Sequence, residues 1–417
     1  MLKIIKDFLF SHNPDLVVQA PSRINLINPL DAVEGDFWMP SVAINGKTNP
    51  LSVFLYVKTA ELKSSLKIYS FDNNMVFPLQ FEEQIQKNEK FIRSKMVGDN
   101  KLVYGSIYRL MKVSASFSDK FNNSNIEIGI LTTIPPKSGL GGSAAIIIAV
   151  IFGLTNFFKL YNNLNSLQEN ELPFNEDTIA EIAMRVEDKD LNITAGYSDP
   201  YTICRGGLRF CSYVGKFDHR EISKEPLAIC DRIDEMYNIN DIPLIVCFSG
   251  KTHESGDVHG ILRKLYSQKD QNLLNHYKNL ADLSWKSRFA LMRHDWELLG
   301  DYFKENTKIM NKVMKHAGFK HGIGLVNNIL INIIEARKDV YAAKLTGAGG
   351  GGSIFALVDP NKVELIFKSL KEDINNLSED YQAFNSRFPL APKKIANHLK
   401  KTQIFQVVID KIGVKKL

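Results

Sequence analysis

The chain has 417 residues, 44 % hydrophobic and 24 % charged, ordinary values for a globular protein and unlike those of a disordered or fibrous one. That length exceeds one hydrophobic core, so two domains are expected. The formal net charge of +6 is mild and its lysines are spread along the chain, which suits a site for anions and does not argue for nucleic acid.

Four cysteines, Cys204, Cys211, Cys230 and Cys247, show no CxxC spacing. They point to neither a zinc site nor a disulfide framework, and to a reduced, cytoplasmic setting. The opening MLKIIKDFLFSHNPD is broken by Lys3, Lys6 and Asp7 and no small-residue cleavage site follows it, so it does not read as a targeting signal. The longest apolar run, 144–154, falls far short of the ~20 residues needed to cross a bilayer, so no membrane partner is expected.

Residues 16–20 read as a strand. From 20 to 44, Pro21, Pro29, Gly35 and Pro40 impose strand–loop–strand, with Arg23, Asp31, Glu34 and Asp36 in or beside the loop. Charged loop residues are as a rule only solvated. Arg23 is harder to dismiss, because Ala20, Ile24, Leu26 and Ile27 surround it and an unpaired charge among them would be costly. Residues 51–56 and 66–71 continue as strands, and 91–113 reads as one helix with an apolar stripe.

At 126–154 the pattern changes. Ile126, Ile128 and Ile130 alternate as in a half-buried strand, Pro135 and Pro136 end it, and Gly139, Gly141 and Gly142 precede a small-residue helix. Strand, glycine loop and helix N-terminus make an anion site whose natural occupant is phosphate. A lone glycine cluster is more often just a tight turn. No Lys follows, so it is not the GxxxxGK[ST] loop. Gly139, Gly141 and Ala144 fit GxGxxG/A, but that motif needs an acidic residue roughly 20 positions on, after a second strand; 161–166 offers only polar amide sequence.

Asn175 can cap a helix with Glu176 and Asp177 in its first turn. Glu187 falls at the margin of the apolar stripe formed by Ile179, Ile182, Ala183 and Val186. Half-desolvated there, it needs a partner: a metal, or an arginine or lysine such as Arg185 or Lys189. Residues 190–210 read as a loop through Gly196 and Pro200 that carries Asp199. The character shifts after Tyr213, which places a domain boundary near 214–225. Residues 242–248 form a strand leading to Lys251 and His253; HESGD lacks the second His of a zinc protease. Residues 261–314 are a charged helical pair, and 347–353 form a second glycine loop between strands 341–346 and 354–358. A helix at 361–376 and a strand at 404–409 close the chain. No internal repeat is present.

Three segments in this order, APSRINLI (20–27), PPKSGLGGSAA (135–145) and KLTGAGGGGS (344–353), resemble the three motifs of the GHMP kinases. The resemblance implies an α+β two-domain fold: an N-terminal α/β domain with the phosphate loop (1–213), a C-terminal α+β domain (214–417), and the active site in the cleft between. By matched position, Lys137, Ser138, Gly139, Leu140, Gly141, Gly142, Ser143 and Ala144 would hold the phosphates of ATP, with Gly347, Gly349 and Gly350 closing over them. Gly142 stands where the family usually has Ser. Ser143 and Glu187 would hold Mg²⁺, Asp199 would orient the acceptor hydroxyl and take its proton, and Arg23 would stabilise charge beside it.

RINLINPLD resembles the glucuronokinase type of first motif and lacks the Gly-Glu-His of galactokinases. The resemblance therefore implies a kinase acting on a monosaccharide or sugar acid, at the anomeric hydroxyl, as monomer or homodimer. Asp31, Glu34, Tyr197, Lys251 and His253 are the candidate substrate residues. A mevalonate-type isoprenoid-precursor kinase and a non-catalytic, sugar-sensing regulator on the same scaffold are the rival readings. Arg23 and the polar Asp31/Glu34 loop count against the first, and intact Ser143, Glu187 and Asp199 against the second.

Overall fold

The computed structural model describes residues 1–28, 39–71, 76–161, 173–212, 229–252, 255–347 and 349–417. Helix α1 (Leu2–Phe10) precedes β1 (Leu16–Asn25), β2 (Met39–Gly46), β3 (Ser52–Thr59), β4 (Ser65–Tyr69) and β5 (Leu79–Gln84). Helices α2 (Glu89–Ser94), α3 (Lys101–Val113) and α4 (Ala115–Asn123) lead to β6 (Ile126–Thr132), and the first glycine loop joins β6 to α5 (Gly142–Phe157). Helix α6 (Glu176–Arg185), a π turn (Val186–Asp190) and α7 (Ser198–Arg205) come before the ribbon β7 (Leu208–Ser212) and β8 (Ile229–Arg232).

After α8 (Ile233–Met236) and β9 (Leu244–Phe248) the chain is helical through α9 (Ser255–Ser267), α10 (Gln271–Met292), α11 (Trp296–His316) and α12 (Leu325–Glu335). Strands β10 (Val340–Thr346) and β11 (Ser353–Val358) flank the second glycine loop, followed by α13 (Val363–Glu379), α14 (Tyr381–Arg387), α15 (Lys394–Leu399), β12 (Gln403–Ile409) and β13 (Lys415–Lys416).

Among the described residues the strands run in the order β10-β11-β9-β12-β2-β1-β3-β6-β4-β5. Strand β12, near the C-terminus, pairs with β9 on one side and β2 on the other, so one curled sheet carries the two glycine loops. Helix α5 is apolar nearly all round, as a buried helix can be; it packs on β1 and β3, and eleven of its sixteen residues are buried. Its N-terminus is therefore held rigidly at the sheet's end.

Several expectations are corrected. Pro21 does not end the first strand: β1 pairs with β3 up to Pro21 and with β2 from Ser22 onward, so the proline sits where the strand changes neighbour. Arg23 is thus a strand residue. The helix expected at 91–113 is two helices, α2 and α3, separated at Gly98, whose φ is +77°. The loop expected at 190–210 contains α7. Its proline, Pro200, lies in the first turn, where a helix needs no N–H from it. Cys211 and Cys230 are joined by a disulfide, because β7 and β8 set them directly opposite each other, a proximity that sequence spacing does not reveal. The expected boundary at 214–225 lies outside the described residues. Among those described, no helix is long and apolar enough to cross a membrane.

Candidate active site

Between β6 and α5 the backbone enters the left-handed region at Lys137, Gly139 and Gly141, with φ of +52°, +74° and +75°. Gly141 caps α5, and a Cβ there would lie 3.0 Å from Arg23 Cγ. The turn that follows, Gly142 to Ala144, presents the free N–H groups and positive dipole end of a sixteen-residue helix. Ser138, also in the loop, is 2 % exposed and its hydroxyl has no partner among the described residues. A buried hydroxyl left unpaired within a cradle of backbone donors fits a phosphate-bearing ligand.

The second glycine loop reaches this cradle. A Cβ on Gly347 would sit 3.4 Å from the carbonyl oxygen of Gly139, so the two loops are in backbone contact. Gly347, Gly349 and Gly350 all have positive φ, between +86° and +98°. The loop is held from behind: Gly350 N–H donates to Ile323 O (2.9 Å) and Gly352 N–H to Lys251 O (2.8 Å).

Arg23 and Asp199 meet beside this contact. The Arg23 guanidinium donates through Nε and Nη2 to the two carboxylate oxygens of Asp199, and through Nη1 to Gly139 O at 2.7 Å. The arginine is buried, whereas the Asp199 side chain keeps 26 % of its surface exposed. A carboxylate offers about four lone-pair positions. Arg23 takes two and Asn25 Nδ2 takes a third, at 3.3 Å from Oδ1, which leaves Oδ2 able to accept one more hydrogen bond on the exposed side.

Asn25 is a site residue that sequence reasoning missed. Its Oδ1 accepts from Ser41 (2.8 Å) and Ser198 (3.2 Å), and its N–H donates to Thr346 Oγ1 at 3.1 Å, so it ties Asp199 to both β2 and β10. The signal was available: Arg23 and Asn25, two apart on a strand, share one face.

On the far side of the first loop, the Ser143 hydroxyl donates to Glu187 Oε1. This is not the local ion pair with Arg185 or Lys189 that was open from sequence. Burial is the largest influence on Glu187 and raises its pKa to about 7; the Ser143 hydrogen bond and Arg23 oppose the rise, while Asp199 and Asp188 add to it. A buried carboxylate with no ion-pair partner among the described residues, next to a hydroxyl at a helix N-terminus, is a hard-oxygen donor set suited to Mg²⁺. The π turn that carries Glu187 fans out two further carboxylates, Asp188 to Arg263 and Asp190 to Arg109.

The structure places the remaining candidates unevenly. Tyr197 is 1 % exposed, packed in the core against Tyr201. Lys251 is exposed, next to a cavity of about 470 Å³ lined by Pro136, Phe248, Gly250, Thr252 and Lys401 among others. Asp31, Glu34 and His253 lie outside the described residues. Leu140 and Ala144 are buried beneath the first loop; the Leu140 carbonyl accepts from Ser22 Oγ at 2.7 Å. Lys344, in the third motif, is fully buried; among the described residues its amine donates to the backbone carbonyls of Leu345 (2.6 Å) and Asn25 (3.4 Å) and lies 4.9 Å from the Phe355 ring centre.

Residues 102–207 match the model of the GHMP kinases N terminal domain, and 289–376 that of the GHMP kinases C terminal domain. Glucuronokinase 1 of Arabidopsis thaliana is 24 % identical over 370 residues, covering 86 % of this chain and 88 % of that protein. The D-glycero-alpha-D-manno-heptose 7-phosphate kinase of Campylobacter jejuni is 26 % identical over 283 residues, 66 % of this chain and 73 % of its own. The fold matches that of Lactococcus lactis galactokinase, crystallised with galactose, with a TM-score of 0.64, 16 % identity and all of both chains covered. Both domains of one family are present in order on a single chain, and it belongs to the GHMP kinases, phosphotransferases whose acceptor is a hydroxyl group.

Proposed function

We propose that this kinase transfers the γ-phosphate of ATP to a hydroxyl, the anomeric one, of a monosaccharide or sugar acid. The observation that carries the reading is the backbone contact between the two glycine loops at Gly139 and Gly347, with the Arg23–Asp199 pair bonded directly to Gly139. In this reading the N–H groups from Lys137 to Ala144 hold the phosphates, and the second loop (Gly347, Gly349, Gly350) covers them. Ser143 and Glu187 would hold Mg²⁺, which supplies charge neutralisation on the phosphates when bound.

Asp199 accepts the hydrogen bond of the acceptor hydroxyl on its free Oδ2 position, orienting the oxygen toward the phosphoryl group and receiving its proton as the new bond forms. Arg23 fixes that carboxylate and places a positive charge where negative charge develops. Residues 1–213 and 214–417 are read as the two domains that contribute the two loops. The sugar class rests on the likeness to the glucuronokinase and heptose phosphate kinase, with Asp31, Glu34 and His253 as candidate hydroxyl partners and Lys251 for an acidic group. Tyr197, in the core, would act from behind the pocket wall.

The experiment is an ADP-release screen over free hexoses, uronic acids, heptose phosphates, inositols and mevalonate. Turnover with a uronic acid or heptose phosphate is expected. Turnover with mevalonate alone would establish the isoprenoid rival, and nucleotide binding without any turnover the sensor.

A further inference from the structure

The metal-side carboxylate and the acceptor-side carboxylate sit at the two ends of one segment, Glu187 to Asp199; besides Ser143, Arg109 and Arg23 from the first half of the chain, a helix of the second half holds it. Helix α9 presents Gly256, Gly260 and Arg263 on one face, since the spacings of four and three residues return to the same side of a helix. The two glycines let the helix lie close on the segment: a Cβ on Gly256 would be 3.2 Å from Ile193 Cγ2, and one on Gly260 would be 3.6 Å from Thr194 Oγ1.

Arg263 then reaches past them. Its Nη1 donates to Asp188 Oδ1 at 2.7 Å and its Nη2 to the carbonyl of Ala195 at 3.1 Å. The same Asp188 oxygen accepts from Ala195 N–H at 3.2 Å, and Ile193 N–H donates to the carbonyl of Glu187 at 2.8 Å. One guanidinium therefore closes a ring through both ends of the 188–195 loop. The residue it grips, Asp188, is the immediate neighbour of Glu187 in the π turn, an irregularity that often marks functional sites.

We propose that Arg263 is a positioning residue: by clasping Asp188 and the Ala195 carbonyl, it sets the placement of Glu187 for the metal–nucleotide complex. This rests on the reading of Ser143 and Glu187 as the Mg²⁺ ligands. The effect of Arg263 passes through the turn it holds.

The test is equilibrium titration of ADP into the full chain, once with Mg²⁺ and once with the chelator EDTA, with ligand-free melting curves alongside. Glu187→Gln should abolish the gain in ADP affinity that Mg²⁺ confers. Arg263→Ala should cut that gain by about 10- to 100-fold, the usual cost of losing an outer partner of a metal ligand, and leave the affinity in EDTA unchanged. Arg263→Lys, which keeps the charge but not the fork, should recover part of it, and Arg263→Ala added to Glu187→Gln should change nothing further. Should Arg263→Ala melt early, Asp188→Asn removes the same ion pair and should show the same loss.

A full Mg²⁺ gain in Arg263→Ala and Asp188→Asn, with Glu187→Gln defective, overturns the positioning role and leaves the metal reading standing. A full gain in Glu187→Gln overturns the metal reading, and the inference with it.

Discussion

The first glycine loop is continued by a helix, whereas the second closes a hairpin between β10 and β11, and the two differ in what they can offer a ligand. The first ends in a buried helix whose free N–H groups converge on one point, with Arg23 packed against its capping glycine. No helix continues the second; α12 instead packs on it from outside, with Asn327 Nδ2 donating to the Gly351 carbonyl at 2.8 Å. The loop's donors at Gly350 and Gly352 are already spent on Ile323 and Lys251, so in the proposed function it would serve as a cover held in place by its neighbours. Under that function, binding strength would be concentrated in the first loop and the second would supply closure.

That division can be broken by substitution. Among substitutions at the loops and the arginine packed on them, the largest effect is expected from Arg23→Ala, which frees the Asp199 carboxylate and the Gly139 carbonyl together. Loss of one preorganised donor of this kind costs roughly 10²- to 10³-fold in kcat, read by ADP release. Next comes Gly141→Ala. Left-handed backbone at a residue with a Cβ costs about 1–2 kcal/mol, and the new methyl also presses on Arg23, so both ADP affinity by titration and turnover should fall. Gly350→Ala should be milder. Its φ is also positive, at +86°, but nothing lies within 4 Å of the added Cβ; the strain of about 1–2 kcal/mol should appear as a lower melting temperature with ADP affinity nearly intact. Equal loss of ADP affinity in the two glycine variants would refute the division of labour.

The smallest effect on turnover is expected at Lys344→Met, beside the second loop, and it should raise stability. Burial pushes the Lys344 amine down to about 7, and no carboxylate partners it among the described residues, so a thioether of similar length removes a desolvation cost. The sign follows from proton counting. Between the folded value near 7 and the ordinary lysine value of 10.5, the unfolded chain holds a proton that the folded chain has released, so this residue makes stability rise with pH across that window. Melting curves at about pH 7 and about pH 9 should show the variant's advantage shrinking as pH rises.

Much of the site was readable beforehand because its signals are local. The alternation of Ile126, Ile128 and Ile130, the glycines after Pro136 and the run 347–353 each announce their backbone conformation through residue type alone. Glu187 was flagged because a carboxylate at the edge of an apolar stripe must find a partner. What escaped depends on contacts between distant segments. The strand's passage through Pro21 follows from a change of neighbour, and α7, which tolerates Pro200 in its first turn, packs on α6, α5 and β1. The Cys211–Cys230 pairing exists only once β7 and β8 are aligned. Asn25 joins Asp199, Ser41 and Thr346 across the fold, and no spacing within one strand names those partners.

The most direct test of the central claim compares wild type with Asp199→Asn on the same preparations, measuring ADP binding in the presence of Mg²⁺ and ADP release with the acceptor found in the screen. If the two loops bind the nucleotide and Asp199 serves only the acceptor, the variant binds ADP as the wild type does while turnover falls by about 10²- to 10⁴-fold, the range for losing a positioned acid–base group. Turnover at the wild-type rate in Asp199→Asn would contradict the account.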